Sequence, residues 1–279
     1  MNIISLKEIK KVLKERNPSS HKGQNGKVLV IGGSKEFVGA PGLAAISALR
    51  SGVDIVNVAA PEKIAYAINK YSLDLITTKL KGDFLTKKHL NELLKKSEKF
   101  DSVLLGNGLG LRKETQAFVK NFVRKCKKQI VLDADAIKAV KGMKFNKNVL
   151  LTPHAKEFEI LSGKKLTKNL KENIKLVKDF AKNKTCVILL KGKVDILSDG
   201  NKVKLNKTGN VRMTVAGTGD VLAGICAAFT ALTKDLFTSA CAAAYLNGLA
   251  GDKLYKKRKN TFIASDIFDE IPKLLKELR

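Results

Sequence analysis

Short apolar runs alternate along this chain with longer stretches in which apolar positions recur every three to four residues. The first run, Lys27-Val28-Leu29-Val30-Ile31, is rich in β-branched residues and ends in Gly32-Gly33, which reads as a buried strand entering a glycine turn. Comparable runs follow at Ile55–Ala59, Leu75–Thr78, Ser102–Leu105, Ile130–Leu132, Val149–Leu151 and Val187–Leu190. Helical spacing fills the gaps at Gly42–Ser51, after Pro61, near Lys87–Ser97, at Glu114–Cys126 and at Leu170–Ala181. Ahead of all of them, Ser5-Leu6-Lys7-Glu8 reads as a capping box opening a helix with Ile9, Val12 and Leu13 on its apolar face. This alternation predicts an α/β fold, a mostly parallel central sheet with helices on both faces. Past Val194 the pattern changes. Asp195–Val203 reads as a hairpin turning at Asp199-Gly200, and Thr218–Ala231, Ser239–Tyr255 and Ser265–Leu278 predict a C-terminal helical segment. No linker, repeat or low-complexity stretch divides the chain, so residues 1–279 read as a single domain.

Composition supports this picture: 279 residues with 44% apolar content can bury one large core. Cys126, Cys186, Cys226 and Cys241 form no C-x-x-C pair and sit largely in apolar runs, as buried free thiols in a reducing compartment would. The lysine-rich stretch Met1–Arg16 lacks the apolar centre of a secretory signal, and no uncharged apolar run is long enough for a membrane span. A cytoplasmic protein with no membrane association is expected.

Charge complicates the reading. The 53 basic and 26 acidic residues leave a net charge of +27, which taken alone suggests a polyanionic partner. The lysines, however, are spread over nearly every predicted helix. Only Lys256-Lys257-Arg258-Lys259 is compact, and aromatic residues do not interleave with the cations as a base-stacking platform requires. A solvated lysine-rich surface is expected, with no nucleic-acid partner, and its field would speed the arrival of an anionic small molecule.

In open α/β sheets ligands bind beyond the carboxyl ends of the strands. The segments following the predicted strands there are Gly32-Gly33-Ser34, Gly106-Asn107-Gly108-Leu109-Gly110, Asp133-Ala134-Asp135, Thr152-Pro153-His154 and Lys191-Gly192-Lys193. Each alone fits a tight turn or a helix cap; five along one edge point to a shared pocket. The sharpest motif comes later, where Val215-Ala216-Gly217-Thr218-Gly219-Asp220 opens an apolar helix. The glycines admit close backbone approach, and the free N–H groups of the first turn suit a transferring phosphate. Asp220 could simply stabilise the helix start, or it could take a proton from a substrate hydroxyl while the amides of Gly217, Thr218 and Gly219 form an anion hole. The chain contains no G-x-x-x-x-G-K-[ST], H-E-x-x-H or G-x-S-x-G, and no G-x-G-x-x-G after the first strand. His21, His89 and His154 are too scattered for a multi-histidine metal site.

Together these segments resemble one family. Ser20-His21-Lys22-Gly23, Lys27–Ser34, Gly39-Ala40-Pro41-Gly42, Leu132–Ala136, Leu151–His154 with Glu157, Leu190–Lys193, Asn206–Asn210, Gly217–Gly224 and Ala264-Ser265-Asp266 occur in the order found in the NAD(P)H-hydrate dehydratases of the ribokinase-like superfamily, over roughly residues 19 to 272. The resemblance implies a ribokinase-like fold and an ADP-dependent carbon–oxygen lyase, with ATP as the donor in another branch. Such an enzyme restores NADH or NADPH from the S epimer of its hydrate, phosphorylating the ring hydroxyl so that it can be expelled. It further implies that Asp220 is the base, that Ala40, Gly108 and His154 join it in contacting the hydrate, and that Lys191, Gly192, Lys193, Val194, Asp195 and Gly219 hold the nucleotide. Mg2+ would accompany the phosphates, with its protein ligands left open. A homo-oligomer is implied as well, tetrameric in many relatives, along with a separate epimerase, since only about 25 residues precede the first strand. The chain departs from the family pattern at Asn107, where Pro is common, at Ala155-Lys156 and at Val211-Arg212; Lys156 and Arg212 are expected to add positive charge near the pocket. A small-molecule kinase of the hydroxyethylthiazole kinase type would share Asp220 and the anion hole but release a stable phosphoester. A non-enzymatic nucleic-acid binder is the other alternative, motivated by charge alone.

Overall fold

The computed structural model describes residues 2–13 and 15–278. Its strands are β1 (Lys27–Ile31), β2 (Ile55–Pro61), β3 (Ile76–Leu80), β4 (Ser102–Leu105), β5 (Gln129–Leu132), β6 (Val149–Leu151), β7 (Val187–Leu190), β8 (Asp195–Ser198) and β9 (Val203–Asn206). They form one nine-stranded sheet in the order β3-β2-β1-β4-β5-β6-β7-β8-β9. Pairing is parallel from β3 through β7, and only the β7–β8 and β8–β9 pairs are antiparallel.

Both faces of the central strands are buried, which is why the strands read as continuous apolar runs. Val28, Val30, Leu104, Val131, Leu150 and Leu189 point to one face. That face is covered by α1 (Leu6–Val12), α2 (Gly39–Arg50), α3 (Glu62–Tyr71), α9 (Thr218–Thr233), α10 (Leu236–Arg258) and α11 (Asp266–Glu277). Their neighbours Leu29, Ile31, Val103, Leu105, Ile130 and Leu132 point the other way. There they meet α4 (Leu90–Ser97), α5 (Lys113–Lys125), α6 (Asp135–Ala139), α7 (Ala155–Ser162) and α8 (Leu170–Lys184).

The helix α9 is nearly surrounded, with Val221 through Ala231 all buried. It crosses α2 at very short range. A Cβ built on Gly224 would lie 2.0 Å from the carbonyl oxygen of Ala44 and 2.1 Å from Ser47 Oγ. The Ser47 hydroxyl donates to the Val221 carbonyl at 3.0 Å and stitches the two helices together.

The predicted elements are present with shifted ends. Ser5 starts α1 as expected, its N–H donating to the Glu8 carboxylate at 2.8 Å. The helix α2 begins at Gly39 rather than Gly42, because Pro41 falls within the first turn, where a missing N–H costs nothing. The helix α10 begins at Leu236 rather than Ser239, since Asp235 caps it by accepting from the N–H groups of Phe237 and Thr238. The sequence pattern did not reveal α6 and α7, which are short and begin at Asp135 and Ala155, directly after strand-end loops. All four cysteines are free and buried. Among the described residues no helix is long and apolar enough to cross a membrane. The compact cation cluster at the end of α10 is turned toward its own fold: Lys257 pairs with Glu270, Arg258 bonds to Asp266, and Lys259 lies over the Tyr255 ring.

Candidate functional site

The carboxyl ends of β1, β4, β5, β6 and β7 converge on a network of hydrogen bonds centred on Asp133. Gly33 N–H donates to the Asn107 carbonyl at 2.9 Å, tying β1 to β4. Asn107 Nδ2 donates to Asp133 Oδ2 at 3.0 Å and to Asp220 Oδ1 at 2.7 Å. Thr152 Oγ1, after β6, and Lys191 Nζ, after β7, both donate to Asp133 Oδ1, at 2.7 and 3.0 Å. Ala134 next door adopts φ +51° and ψ −119°, a conformation costing about 1–3 kcal/mol in a non-glycine residue. It lets both flanking acids turn inward, and Asp135 Oδ2 accepts from Gly110 N–H at 2.9 Å.

The N-terminus of α9 completes the site. Gly217 caps the helix at φ +92°, a left-handed conformation suited to glycine, and Thr218 Oγ1 donates to the Met213 carbonyl at 2.7 Å. Thr218 N–H donates to the Val215 carbonyl at 3.5 Å and Val221 N–H to that of Gly217 at 3.0 Å, which leaves the N–H groups of Gly219 and Asp220 as the first-turn donors without a backbone acceptor. A Cβ on Gly219 would stand 3.3 Å from Lys191 Nζ, so the Lys191 ammonium lies against this first turn. Burial, with the neighbouring Asp133 charge adding to it, raises the Asp220 carboxyl to about 7, even though the Asn107 hydrogen bond and Lys191 pull it down. Lys191 is held above the ordinary lysine range: burial opposes its charge, but Asp133, Glu157 and Asp220 outweigh that cost.

Of the positions singled out by sequence, Asp220, Gly217, Thr218, Gly219 and Lys191 form one cluster. Ala40 and Gly108 form its opposite lip, with a Cβ on Gly108 lying 3.4 Å from that of Ala40 and 2.9 Å from the Phe37 carbonyl. Beside them opens a cavity of about 290 Å3 lined by Ser34, Phe37, Leu109, Gly110, Arg112 and Lys138 among others. His154 stands on the rim with its side chain 53% exposed; it caps α7, Nδ1 accepting from Glu157 N–H, and its backbone bridges to Lys191. Gly192 and Lys193 are exposed and Val194 half-buried. Both oxygens of Asp195 are engaged inside the protein, by Gly192 N–H and by Asn206 Nδ2 at 2.9 Å each, so this residue shapes the 191–195 loop. Burial raises its pKa against the pull of those same bonds.

One expectation is not met at the site. Arg212 turns away from the pocket: its Nε donates to the Phe262 carbonyl at 3.0 Å. The Ser20–Gly23 motif lies at the amino ends of the strands, on the opposite edge of the sheet, where Gly23 N–H and Asn25 N–H donate to Asp54 Oδ2. Conversely, sequence reading gave Asp133 no role, although it occupied a strand-end loop. Among the described residues, no group of three or more His, Cys, Asp or Glu side chains is placed to hold a metal ion.

The Lys191–Asp133 pair, with side chains 20% and 3% exposed, should contribute to stability in its own right. In a Lys191→Met variant Asp133 remains buried without a cation, and an unfolding free energy lower by roughly 3 kcal/mol is expected in urea titration. A loss below about 0.5 kcal/mol would mean that the pair is a solvated contact.

Comparison with known proteins identifies the family. Residues 28–273 match a family model described as NAD(P)H-hydrate dehydratase. A bifunctional NAD(P)H-hydrate repair enzyme of Pyrobaculum aerophilum is 44% identical over 263 residues, covering 94% of this chain but 52% of the relative. The chain thus spans about half the length of the bifunctional relatives it matches. An ADP-dependent (S)-NAD(P)H-hydrate dehydratase of Nitrosopumilus maritimus is 39% identical over 272 residues, covering 96% of this chain and 94% of that one. The crystal structure of an ADP/ATP-dependent NAD(P)H-hydrate dehydratase of Bacillus subtilis, co-crystallised with ATP and Mg2+, superposes with a TM-score of 0.85 at 24% identity, covering 100% of this chain and 99% of that one. The arrangement is ribokinase-like.

Proposed function

Because the chain belongs to the NAD(P)H-hydrate dehydratase family, we propose that it repairs the S epimer of hydrated NADH and NADPH, consuming ADP and releasing AMP and phosphate. The observation that carries this reading is the placement of Asp220. Its carboxylate stands at the mouth of the α9 N-terminus, beside Lys191, and titrates near neutrality, where a general base works best.

In this reading the hydrate lies between Ala40, Gly108 and Asp220, and the nucleotide's phosphates lie against Gly217–Gly219 and Lys191. Asp220 takes the proton of the ring hydroxyl as its oxygen bonds to the terminal phosphorus of ADP and the bond to AMP breaks. The first N–H groups of α9, with Lys191, stabilise the charge on the transferring group. Phosphate then leaves with the ring oxygen, a ring proton is lost, and the double bond of the reduced nicotinamide returns. Magnesium fits this scheme as the companion of the nucleotide's phosphates, since the described residues build no carboxylate cage of their own. The reaction consumes only the S epimer, so a separate epimerase is the partner it calls for.

The test is an assay of hydrated NADH with ADP and ATP side by side. Expected are AMP, inorganic phosphate and recovery of the near-ultraviolet absorbance of reduced nicotinamide. A phosphoester that persists would instead identify a kinase. The pH dependence has a definite sign: the base must be ionised, so kcat/KM should rise with pH and level off above about 7. A profile that falls across that range would remove Asp220 from the role of base.

A further inference from the structure

Two carboxylates meet at a single amide nitrogen in this site. Asn107 Nδ2 gives one hydrogen to Asp220 Oδ1 at 2.7 Å and the other to Asp133 Oδ2 at 3.0 Å. The residue has no exposed surface, and its Oδ1 is buried without a hydrogen-bond partner. An unpartnered buried carbonyl costs about 1–3 kcal/mol. Turning the amide over would be worse, since it would set that oxygen against both carboxylates. The two acids therefore dictate the orientation of the amide.

The backbone holds Asn107 in place as well. Its carbonyl accepts from Gly33 N–H, and that oxygen lies 2.4 Å from the position a Cβ on Gly32 would take, so the loop is pinned against β1. We propose that Asn107 is a positioning residue: its amide clamps the Asp220 carboxylate at the mouth of the anion hole, beside Asp133.

The inference rests on Asp220 being the base. The charged groups acting on that carboxylate are Asp133 from the end of β5, Asp135 from α6 and Lys191 from the end of β7. Lys191 in turn faces Glu157 of α7, whose carboxylate is 3.5 Å from His154 Nε2. Against two acids, the one ammonium, the Asn107 amide and the N-terminus of α9 favour the ionised form. Without the amide, Asp220 would hold its proton to higher pH.

The direct measurement is an NMR titration of the Asp220 carboxyl in full-length protein with isotope-labelled aspartate, the signal being assigned through Asp220→Asn. Asn107→Ala is expected to move the midpoint up by about one pH unit, while Asp133→Asn moves it down. The acidic limb of kcat/KM should shift with it, a loss of about tenfold below the midpoint, with much of the alkaline plateau retained. A folded Asn107→Ala protein whose midpoint is unchanged would overturn the proposal, as would a uniform loss of rate at every pH. If the alanine variant does not fold, Asn107→Leu takes its place; it keeps the volume of the side chain but donates nothing, so its midpoint must also rise. The titration needs no turnover. A wild-type protein that titrates as expected but leaves hydrated NADH unchanged would therefore sink the functional reading and leave the clamp intact.

Discussion

Asp220→Asn is expected to lose two to four orders of magnitude in turnover and to melt at a higher temperature than the wild type at pH 8. The first effect follows from losing the base while the shape of the site is kept; the asparagine can still accept from Asn107 Nδ2. The second follows from linkage. The folded carboxyl sits near 7 against an ordinary 3.8, so the folded state binds the proton more tightly than the unfolded chain. Ionising Asp220 therefore costs stability, progressively as pH rises from about 4 to about 7, and the full cost is present above that window. The amide removes it. After allowance for the solvent-facing part of the site, a gain of about 1–2 kcal/mol is expected at pH 8, or roughly 2–4 °C. At pH 4 the two proteins should melt together. Differential scanning calorimetry at the two pH values decides the matter: equal melting at both would show that Asp220 is not held against its own charge, and activity within tenfold of wild type would show that it is not the base.

Gly224→Ala has the largest expected effect on folding. Two arguments with opposite signs apply. Replacing glycine inside a helix should stabilise by about 1 kcal/mol through backbone entropy. Sterically, however, the added carbon would stand 2.0 Å from the Ala44 carbonyl oxygen and 2.1 Å from Ser47 Oγ, about an ångström inside any tolerable contact. The steric term should win, because both obstructing groups belong to α2 and cannot rotate away without breaking the Ser47–Val221 hydrogen bond. A net loss of about 2–3 kcal/mol is expected, a fall of several degrees in melting temperature. The variant should also lose turnover, since α2 carries Ala40 and α9 carries Asp220. A melting temperature at or above that of the wild type would mean that the helices pack less tightly than they do here.

The sheet was legible because its central strands are buried on both faces, leaving runs such as Val28–Ile31 that no surface element would carry. For edge strand β3 the pattern starts one residue early and stops two short, at Leu75–Thr78 instead of Ile76–Leu80, because its half-exposed pattern is weaker. Short helices such as α6 escaped because a five-residue segment shows less than two turns of periodicity. At the site, Asp220 could be read locally, since glycines, a helix start and an acid are adjacent in sequence. Asp133 could not. Its role arises from Asn107, Thr152 and Lys191 arriving from three other strand ends, and that convergence depends on strand order rather than on any local motif. Arg212 shows the converse: a cation near the motif in sequence is spent on a carbonyl behind it.

The Ser47–Val221 bond joins residues 174 positions apart. During synthesis, then, the alanine-lined face of α2 stays bare for most of the time the ribosome spends on this protein, until α9 and then α11 pack against it. Contacts this distant are slow to form. The phosphate-binding turn therefore comes into register with the substrate lip only once the C-terminal third has docked. A chain lacking α9 would carry Ala40 and Gly108 without Asp220, and on the proposed function it would have no base for the transfer.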